Sequence, residues 1–174
     1  FIGSHVVEMV AARGFPVRSL VRRSSSLAFL GRVGTELAFG DVTDPGSLPG
    51  ALAGVQGVVH CAGLTKALSL SQYRQVNRDG TENLLRACCS MQHRPSQIVI
   101  LGSLAAFGPS RHGRPLCESD EPHPISHYGR SKLEGHRVAE SFMKDLSVSI
   151  LIPPAVYGPR DRDIYAYFKF AKLG

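Results

Sequence analysis

The chain has 174 residues, of which 43% are hydrophobic and 20% are charged. This length and composition fit one globular domain and exclude a wholly disordered chain. The net charge is +6, but the basic residues are scattered, and the known sequence signatures of nucleic-acid binding do not occur. Because no apolar run reaches the ~18–20 residues of a membrane span, neither nucleic acid nor a membrane is an expected partner.

The cysteines and histidines give no sign of a disulfide framework or a metal centre. Four cysteines are present, and none forms a C-x-x-C pair. A chain of this length does not need disulfides, so reduced thiols and a cytoplasmic location are predicted. His123 and His127 have a metal-like spacing, but Pro122 and Pro124 prevent the helix that would bring both imidazoles together. No metal site is therefore predicted.

Apolar runs rich in β-branched residues alternate with helical patterns along the chain. Helices are predicted at residues 2–13, 44–53, 72–92 and 127–145. Strands are predicted at residues 17–22, 36–42, 55–63 and 97–103, and at the start of 147–157. This alternation predicts an α/β domain with a parallel sheet covered by helices on both faces. Residues 108–125 are rich in Pro, Gly and charge, which predicts a long loop.

Small and polar residues follow the predicted strands. Ligands of open α/β sheets bind beyond the carboxyl ends of the strands, so these positions predict a cofactor-binding edge. The residues are Arg22, Arg23, Asp41, Val42, Ala62, Gly63, Ser103, Pro153 and Val156.

The first residues resemble the end of a dinucleotide-binding loop. In "FIGSHVV", Phe1, Ile2 and Gly3 open a predicted helix, whose N-terminal N–H groups could hold a pyrophosphate. The sequence starts within this motif, so we expect the chain to be a fragment.

Further motifs occur in a fixed order along nearly the whole chain. They are "GDVTDPGSL", "VVHCAG", "VNRDGTENLLRAC", "LGSLAAFG", "YGRSK" and "PPAVYGPRDRD". Together with "FIGSHVV", they resemble the NAD(P)-dependent epimerase/dehydratase group of the extended short-chain dehydrogenase/reductase superfamily. The resemblance implies a Rossmann-type doubly wound parallel sheet whose first strand is missing. It also implies that residues 1–174 are a partial NAD(P)-binding domain, without the start of the glycine loop and most of the C-terminal substrate domain.

The resemblance implies a catalytic set of Ser103, Tyr128, Lys132 and Asn77. In that set, Tyr128 is the acid/base, Lys132 supports it, Ser103 holds the substrate oxygen and Asn77 anchors a water. Tyr128 and Lys132 also contact the cofactor. The "YAYFK" stretch repeats the Tyr–Lys spacing farther along the chain, but it lies in an aromatic stripe that is more typical of a packing face.

The cofactor and substrate follow less directly. Arg22 and Arg23 at the end of the first predicted strand favour NADP, because guanidinium groups suit a 2′-phosphate; NAD stays possible. The substrate is a small molecule, either a nucleotide sugar for an epimerase or dehydratase, or a ketone or alcohol for a reductase of the steroid or dihydroflavonol type. A non-catalytic nucleotide sensor and an inactive interaction fragment are further alternatives. The resemblance also implies a homodimer formed by the helices at 72–92 and 127–145.

Overall fold

The protein is described by a computed structural model that covers residues 1–111 and 113–173. Its strands are β1 Arg18–Val21, β2 Glu36–Phe39, β3 Gly57–His60, β4 Gln97–Leu101 and β5 Val148–Leu151. Its helices are α1 Ile2–Ala11, α2 Leu48–Leu52, α3 Leu70–Arg74, α4 Gly80–Ser90, α5 His127–Ser141 and α6 Asp163–Leu173. Within the described ranges, no helix is long and apolar enough to cross a membrane.

All strand pairs in the described part of the chain are parallel, which confirms the predicted fold class. β1 pairs with β2, and β4 lies between β3 and β5. A doubly wound sheet has its strands side by side in the order 3-2-1-4-5-6. In that order, β2 and β1 correspond to strands 3 and 2, and β3, β4 and β5 correspond to strands 4, 5 and 6. The place between β1 and β3 therefore corresponds to strand 1 of that order.

The main core lies between the three-stranded sheet and helices α2, α4 and α5. Leu48, Leu85, Cys88, Ile98 and Ala139 are all 0% exposed there. Burying a leucine or isoleucine side chain contributes about 1.5–3 kcal/mol, so this cluster fixes the two long helices on the sheet.

The helix predicted at 72–92 is helical but interrupted. α3 begins two residues earlier than predicted, because the Ser69 hydroxyl accepts a hydrogen bond from the N–H of Gln72 and caps the helix. Between α3 and α4, Gln75–Asp79 form a π-helical turn that contains the buried Asn77. A hydrophobic pattern of period 3.6 does not reveal such a turn, because it depends on side-chain contacts outside the helix.

Other element bounds differ for local reasons. The strand predicted at 55–63 ends at His60, close to the end of its partner β4 at Leu101, and the strand predicted at the start of 147–157 is confirmed as β5. The helix predicted at 44–53 begins as a 3-10 turn over Pro45–Ser47, and only Leu48–Leu52 is α-helical. The described residues between 108 and 125 contain neither helix nor strand, as predicted.

Gly135 permits the closest approach between α5 and the π-helical turn, and its replacement tests this contact. A Cβ atom at Gly135 would lie 2.3 Å from the carbonyl oxygen of Asn77. We expect Gly135→Ala to lower the free energy of unfolding by about 1–3 kcal/mol through overpacking, measured by denaturant unfolding.

The matched control is Gly50→Ala in α2, where no heavy atom lies within 4 Å of the added Cβ. This substitution should stabilise the fold by about 0.4–1 kcal/mol, because alanine restricts the unfolded chain more than glycine does. Equal effects of the two substitutions would contradict the close contact at Gly135.

Candidate active site

Ser103 and Lys132 lie at the carboxyl edge of the three-stranded sheet, and Tyr128 lies in the first turn of the helix that carries Lys132. Ser103 follows β4 and caps a 3-10 turn over Leu104–Ala106, where its Oγ accepts from the N–H of Ala105 at 3.2 Å. A Cβ atom at Gly129 would lie 2.3 Å from the carbonyl oxygen of Ala105. The glycine of "YGRSK" therefore lets the first turn of α5 contact the segment that carries Ser103.

The start of α5 sets the positions of Tyr128 and Lys132. The Oγ of Ser126 accepts from the N–H of Gly129 at 3.0 Å, which caps the helix and makes His127 its first residue. Tyr128 is half-buried in the first turn, and Lys132 follows one turn later. Residues four apart share one helix face, so Tyr128 and Lys132 project from the same side of α5.

Lys132 is anchored beside Ser103. Its Nζ donates a 2.7 Å hydrogen bond to the carbonyl oxygen of Leu101, the last residue of β4. Burial lowers the pKa of Lys132 to about 8, and the nearby Cys61 thiol opposes this in smaller part. Because the pKa stays above 7, Lys132 is mostly an ammonium at neutral pH.

His60 and Cys61, at the end of β3, are the titratable neighbours of Lys132. Burial, followed by the charge of Lys132, lowers the pKa of His60 to about 4, so His60 is neutral at pH 7. Burial also raises the pKa of the Cys61 thiol. Neither side chain therefore cancels the positive charge of Lys132 at neutral pH.

Asn77 joins the loop after β3 to α5. Its Oδ1 accepts from the N–H of Leu64 at 2.8 Å, and its Nδ2 donates to the Leu64 carbonyl oxygen at 3.0 Å and to the Oγ of Ser131 at 2.9 Å. These bonds use both amide hydrogens within the protein. The structure thus shows Asn77 as an anchor between two elements, and the anchoring of a water stays a prediction.

Two residues near Tyr128 were missed by the sequence reasoning. The ring of Tyr73 lies 6.1 Å from the ring of Tyr128, and the Tyr73 hydroxyl donates to the Thr65 carbonyl oxygen at 3.2 Å. Ser131 is fully buried and bonded to Asn77. The available signal was helical spacing, because Tyr73 lies four residues before Asn77 and Ser131 three after Tyr128.

The helix α1 N-terminus fits the pyrophosphate of a dinucleotide. Phe1 is the N-cap residue of the 10-residue helix, and it supplies no side-chain cap. A Cβ atom at Gly3 would lie 3.5 Å from the Cβ of Cys61, which places the first turn of α1 beside the end of β3. Uncapped N–H groups of Ile2 and Gly3 at this edge have the chemistry that binds phosphate oxygens.

The end of β1 offers two guanidinium groups. Arg22 and Arg23 are both exposed. The N–H of Arg22 donates to the Oγ of Ser25 at 3.1 Å, which shapes the turn, and the guanidinium of Arg23 lies 5.7 Å from the ring centroid of Phe39 on β2. Arginines at this place fit a ribose 2′-phosphate.

In the segment after β2, the neighbouring side chains of Asp41 and Val42 have different surroundings. The Oδ1 of Asp41 accepts from both the N–H and the hydroxyl of Thr43 at 2.9 Å. The side chain of Val42 is buried, and a Cβ atom at Gly80 would lie 2.7 Å from its Cγ2. The Val42 carbonyl oxygen also accepts from Asn83 at 2.9 Å. Asp41 is therefore the better placed of the two to meet a ligand.

The remaining predicted cofactor residues lie on two segments of the same edge. Ala62 and Gly63 are exposed directly after β3. After β5, Pro153 accepts a 3.0 Å hydrogen bond from the N–H of Leu104, and Val156 is 41% exposed. The hydrogen bond holds the segments after β4 and β5 together beside Ser103.

The second Tyr–Lys pair lies on α6. Tyr165 is 54% exposed, and the Lys169 ammonium lies 5.3 Å from the centroid of its ring. This is a surface cation–π pair. Tyr128 and Lys132 are both only partly exposed, so the two identical spacings have different surroundings.

The parallel strand pairs, with α1 beginning beside the end of β3 and Lys132 bonded to the end of β4, are typical of a domain of the Rossmann type. The sequence model of the NAD dependent epimerase/dehydratase family matches residues 1–169. The chain belongs to this family.

Known proteins agree with this assignment over most of the chain. A ceramide reductase of Caulobacter vibrioides is 32% identical over 171 residues, which are 98% of this chain and 48% of that protein. Mouse 3 beta-hydroxysteroid dehydrogenase type 7 is 32% identical over 71% of this chain and 36% of its own length. The crystal structure of DesIV, a dTDP-glucose 4,6-dehydratase of Streptomyces venezuelae solved with NAD bound, is 26% identical with a TM-score of 0.85, and it matches 100% of this chain and 60% of that one. The chain thus spans about half the length of the curated relatives it matches.

The burial of Lys132 predicts a pH-dependent stability difference. Between pH 8 and 10.5, the unfolded chain still holds the lysine proton, which the folded chain has lost, so stability rises with pH in this window. Relative to Lys132→Met, the wild type should gain about 2–3 kcal/mol of unfolding free energy from pH 7 to 10.5. Denaturant unfolding at four pH values measures this gain.

The control is Lys144→Met, at an exposed lysine just beyond α5. Its stability relative to the wild type should stay nearly constant over the same range. A constant difference for Lys132→Met as well would show that Lys132 is not buried as a charge.

Proposed function

We propose that the protein to which this chain belongs is an NAD(P)-dependent oxidoreductase that transfers hydride between a nicotinamide and a carbinol or ketone carbon. The observation that carries the proposal is the arrangement of Tyr128 and Lys132 one helical turn apart, with Lys132 bonded to the strand end that precedes Ser103. Family membership and the reductase and dehydrogenase relatives support it.

Each catalytic residue has a separate task in this proposal. A tyrosine phenol has an ordinary pKa of about 10, so a phenolate near neutral pH needs a positive neighbour. The Lys132 ammonium provides that charge, and Tyr128 takes the proton from an alcohol or returns it to a ketone oxygen. The Oγ of Ser103 accepts from Ala105, which leaves its hydroxyl hydrogen to donate to the substrate oxygen. Asn77 anchors a water that connects Lys132 to solvent.

The cofactor is placed along the sheet edge. When bound, the nicotinamide accepts or supplies the hydride. Ile2 and Gly3 would hold the pyrophosphate through their N–H groups, and Phe1 would adjoin it. Arg22 and Arg23 would bind the 2′-phosphate, so NADP is the proposed cofactor and NAD the alternative. The further residues proposed to line the cofactor are Asp41, Val42, Ala62, Gly63, Tyr128, Lys132, Pro153 and Val156.

The substrate class follows from the cofactor and the relatives. A ketone or secondary alcohol is our first candidate, because NADPH suits reductive turnover and the relatives include a ceramide reductase and a steroid dehydrogenase. A nucleotide sugar is the second candidate, favoured by the close structural match to a dTDP-glucose 4,6-dehydratase. The presence of Ser103, Tyr128 and Lys132 together argues against a non-catalytic sensor, because a sensor does not need all three residues.

We also propose that residues 1–174 form the NAD(P)-binding domain of a longer protein, whose other part completes the substrate site. A cytoplasmic location fits the four cysteines, all of which are free thiols.

A homodimer through α4 and α5 fits the charges of both signs along the groove between these helices, which includes Arg78, Glu82, Arg86, Glu134 and Arg137. A two-fold interface can pair such charges.

The two Tyr–Lys pairs give a matched test of the catalytic tyrosine. Tyr128→Phe in the complete natural protein should lower turnover about 10²–10⁴-fold, because the acid/base is lost, while NADPH binding is retained. Tyr165→Phe removes the same hydroxyl from the surface pair and should leave turnover within a factor of two. Turnover that survives Tyr128→Phe would overturn the mechanism.

The cofactor preference is tested at β1. Replacing both Arg22 and Arg23 by Ser should weaken NADPH binding about 10–100-fold, because charge-assisted hydrogen bonds are lost, and should leave NADH binding nearly unchanged. Fluorescence titration measures both. Arg13→Ser, at an exposed arginine after α1, is the control. Unchanged NADPH affinity would show that NADP is not selected here, and an absence of binding by the wild type would remove the oxidoreductase proposal.

A further inference from the structure

We propose that Ser131 is a positioning residue that holds Tyr128 in its working orientation by coupling it to Asn77. The inference rests on the proposed function, because it concerns the tyrosine that carries it. Ser131 precedes Lys132 in the "YGRSK" motif and is 0% exposed.

The hydroxyl of Ser131 forms two hydrogen bonds whose directions are fixed. It lies 2.7 Å from the carbonyl oxygen of Tyr128 and 2.9 Å from Nδ2 of Asn77. A carbonyl oxygen only accepts, and an amide NH₂ only donates. The hydroxyl therefore donates to Tyr128 and accepts from Asn77, which uses its single hydrogen and links Asn77 to the main chain of Tyr128.

Asn77 is itself fixed on the other side. The same amide bonds both the N–H and the carbonyl oxygen of Leu64, in the loop after β3. The cofactor edge and the first turn of α5 thus share one buried side chain. A displacement of either element is transmitted through the amide and Ser131 to the residue that bears the phenol.

The main chain of Asn77 is held by a second pair of side chains. Its carbonyl oxygen accepts from the hydroxyl of Thr81 at 2.9 Å, and His60 Nε2 lies 3.1 Å from that hydroxyl. Because the Thr81 hydrogen goes to Asn77, neutral His60 must donate from Nε2. His60 on β3 and Thr81 therefore support the π-helical turn. Such turns occur frequently at functional sites.

Helix α5 contains a matched control for the Ser131 bond. The Oγ of Ser141 donates to the carbonyl oxygen of Val138 at 2.7 Å, which is the same local bond over the same three-residue spacing. Ser141 is exposed and lies at the other end of the helix. Ser131→Ala and Ser141→Ala therefore remove the same bond, but only the first also breaks the link to Asn77.

The experiment compares these two variants in the complete natural protein. Turnover is normalised to NADPH-binding stoichiometry, so unfolded protein does not count. Ser131→Ala should lower kcat roughly 10-fold or more, because small displacements of a catalytic group have large effects. The KM for NADPH should stay within a factor of two. Ser141→Ala should change neither value.

Two further measurements separate positioning from general destabilisation. Amide hydrogen exchange of residues 127–132 should accelerate in Ser131→Ala and not in Ser141→Ala. In a Tyr128→Phe background, Ser131→Ala should lower the residual kcat no further, because a positioning residue acts through the group that is already lost. If Ser131 had only a structural role, Ser131→Ala would lower kcat in the wild-type background and also in the Tyr128→Phe background.

The outcomes distinguish this inference from the proposed function. If Tyr128→Phe lowers turnover but Ser131→Ala keeps normalised kcat within a factor of three, only the positioning role is overturned. If Ser131→Ala lowers kcat equally in both backgrounds, the role is also overturned. If Tyr128→Phe leaves turnover intact, the proposed function fails.

Discussion

The site depends on the close packing of α5 against two irregular turns. Gly129 contacts the 3-10 turn after Ser103, and Gly135 contacts the π-helical turn at Asn77. Neither position has space for a Cβ atom. Because these contacts fix both the start and the middle of α5, they set where Tyr128 and Lys132 lie relative to the sheet. Larger residues at either glycine would move the helix as a whole, and both side chains would move with it.

Burial around this packing sets the charges of the site. Lys132 keeps its proton at neutral pH although burial lowers its pKa, and buried His60 stays neutral. The Cys61 thiol is kept from ionising by the same burial. Lys132 is therefore the one of these three groups that carries a charge at neutral pH.

Family membership and the proposed site rest on different observations. Family membership rests on nearly the whole chain, and the chain spans about half the length of the curated relatives it matches. The proposed cofactor-binding residues lie mainly on α1 and after the strands, and the proposed acid/base lies on α5. Asn77 and Ser131 connect the loop after β3 to α5 through buried hydrogen bonds.

The sequence by itself determined the order of strands and helices, the parallel sheet and the positions of Ser103, Tyr128 and Lys132, because hydrophobic periodicity and short motifs are local properties. It also favoured one of two identical Tyr–Lys spacings from the surrounding motifs. Only the tertiary structure revealed the π-helical turn, the bonds of Asn77 to Leu64 and Ser131, the ring of Tyr73 beside Tyr128 and the burial of His60. These features depend on contacts between residues far apart in the chain, such as Asn77 and Ser131, which are 54 positions apart, and the hydrophobic pattern of a single sequence does not encode such contacts.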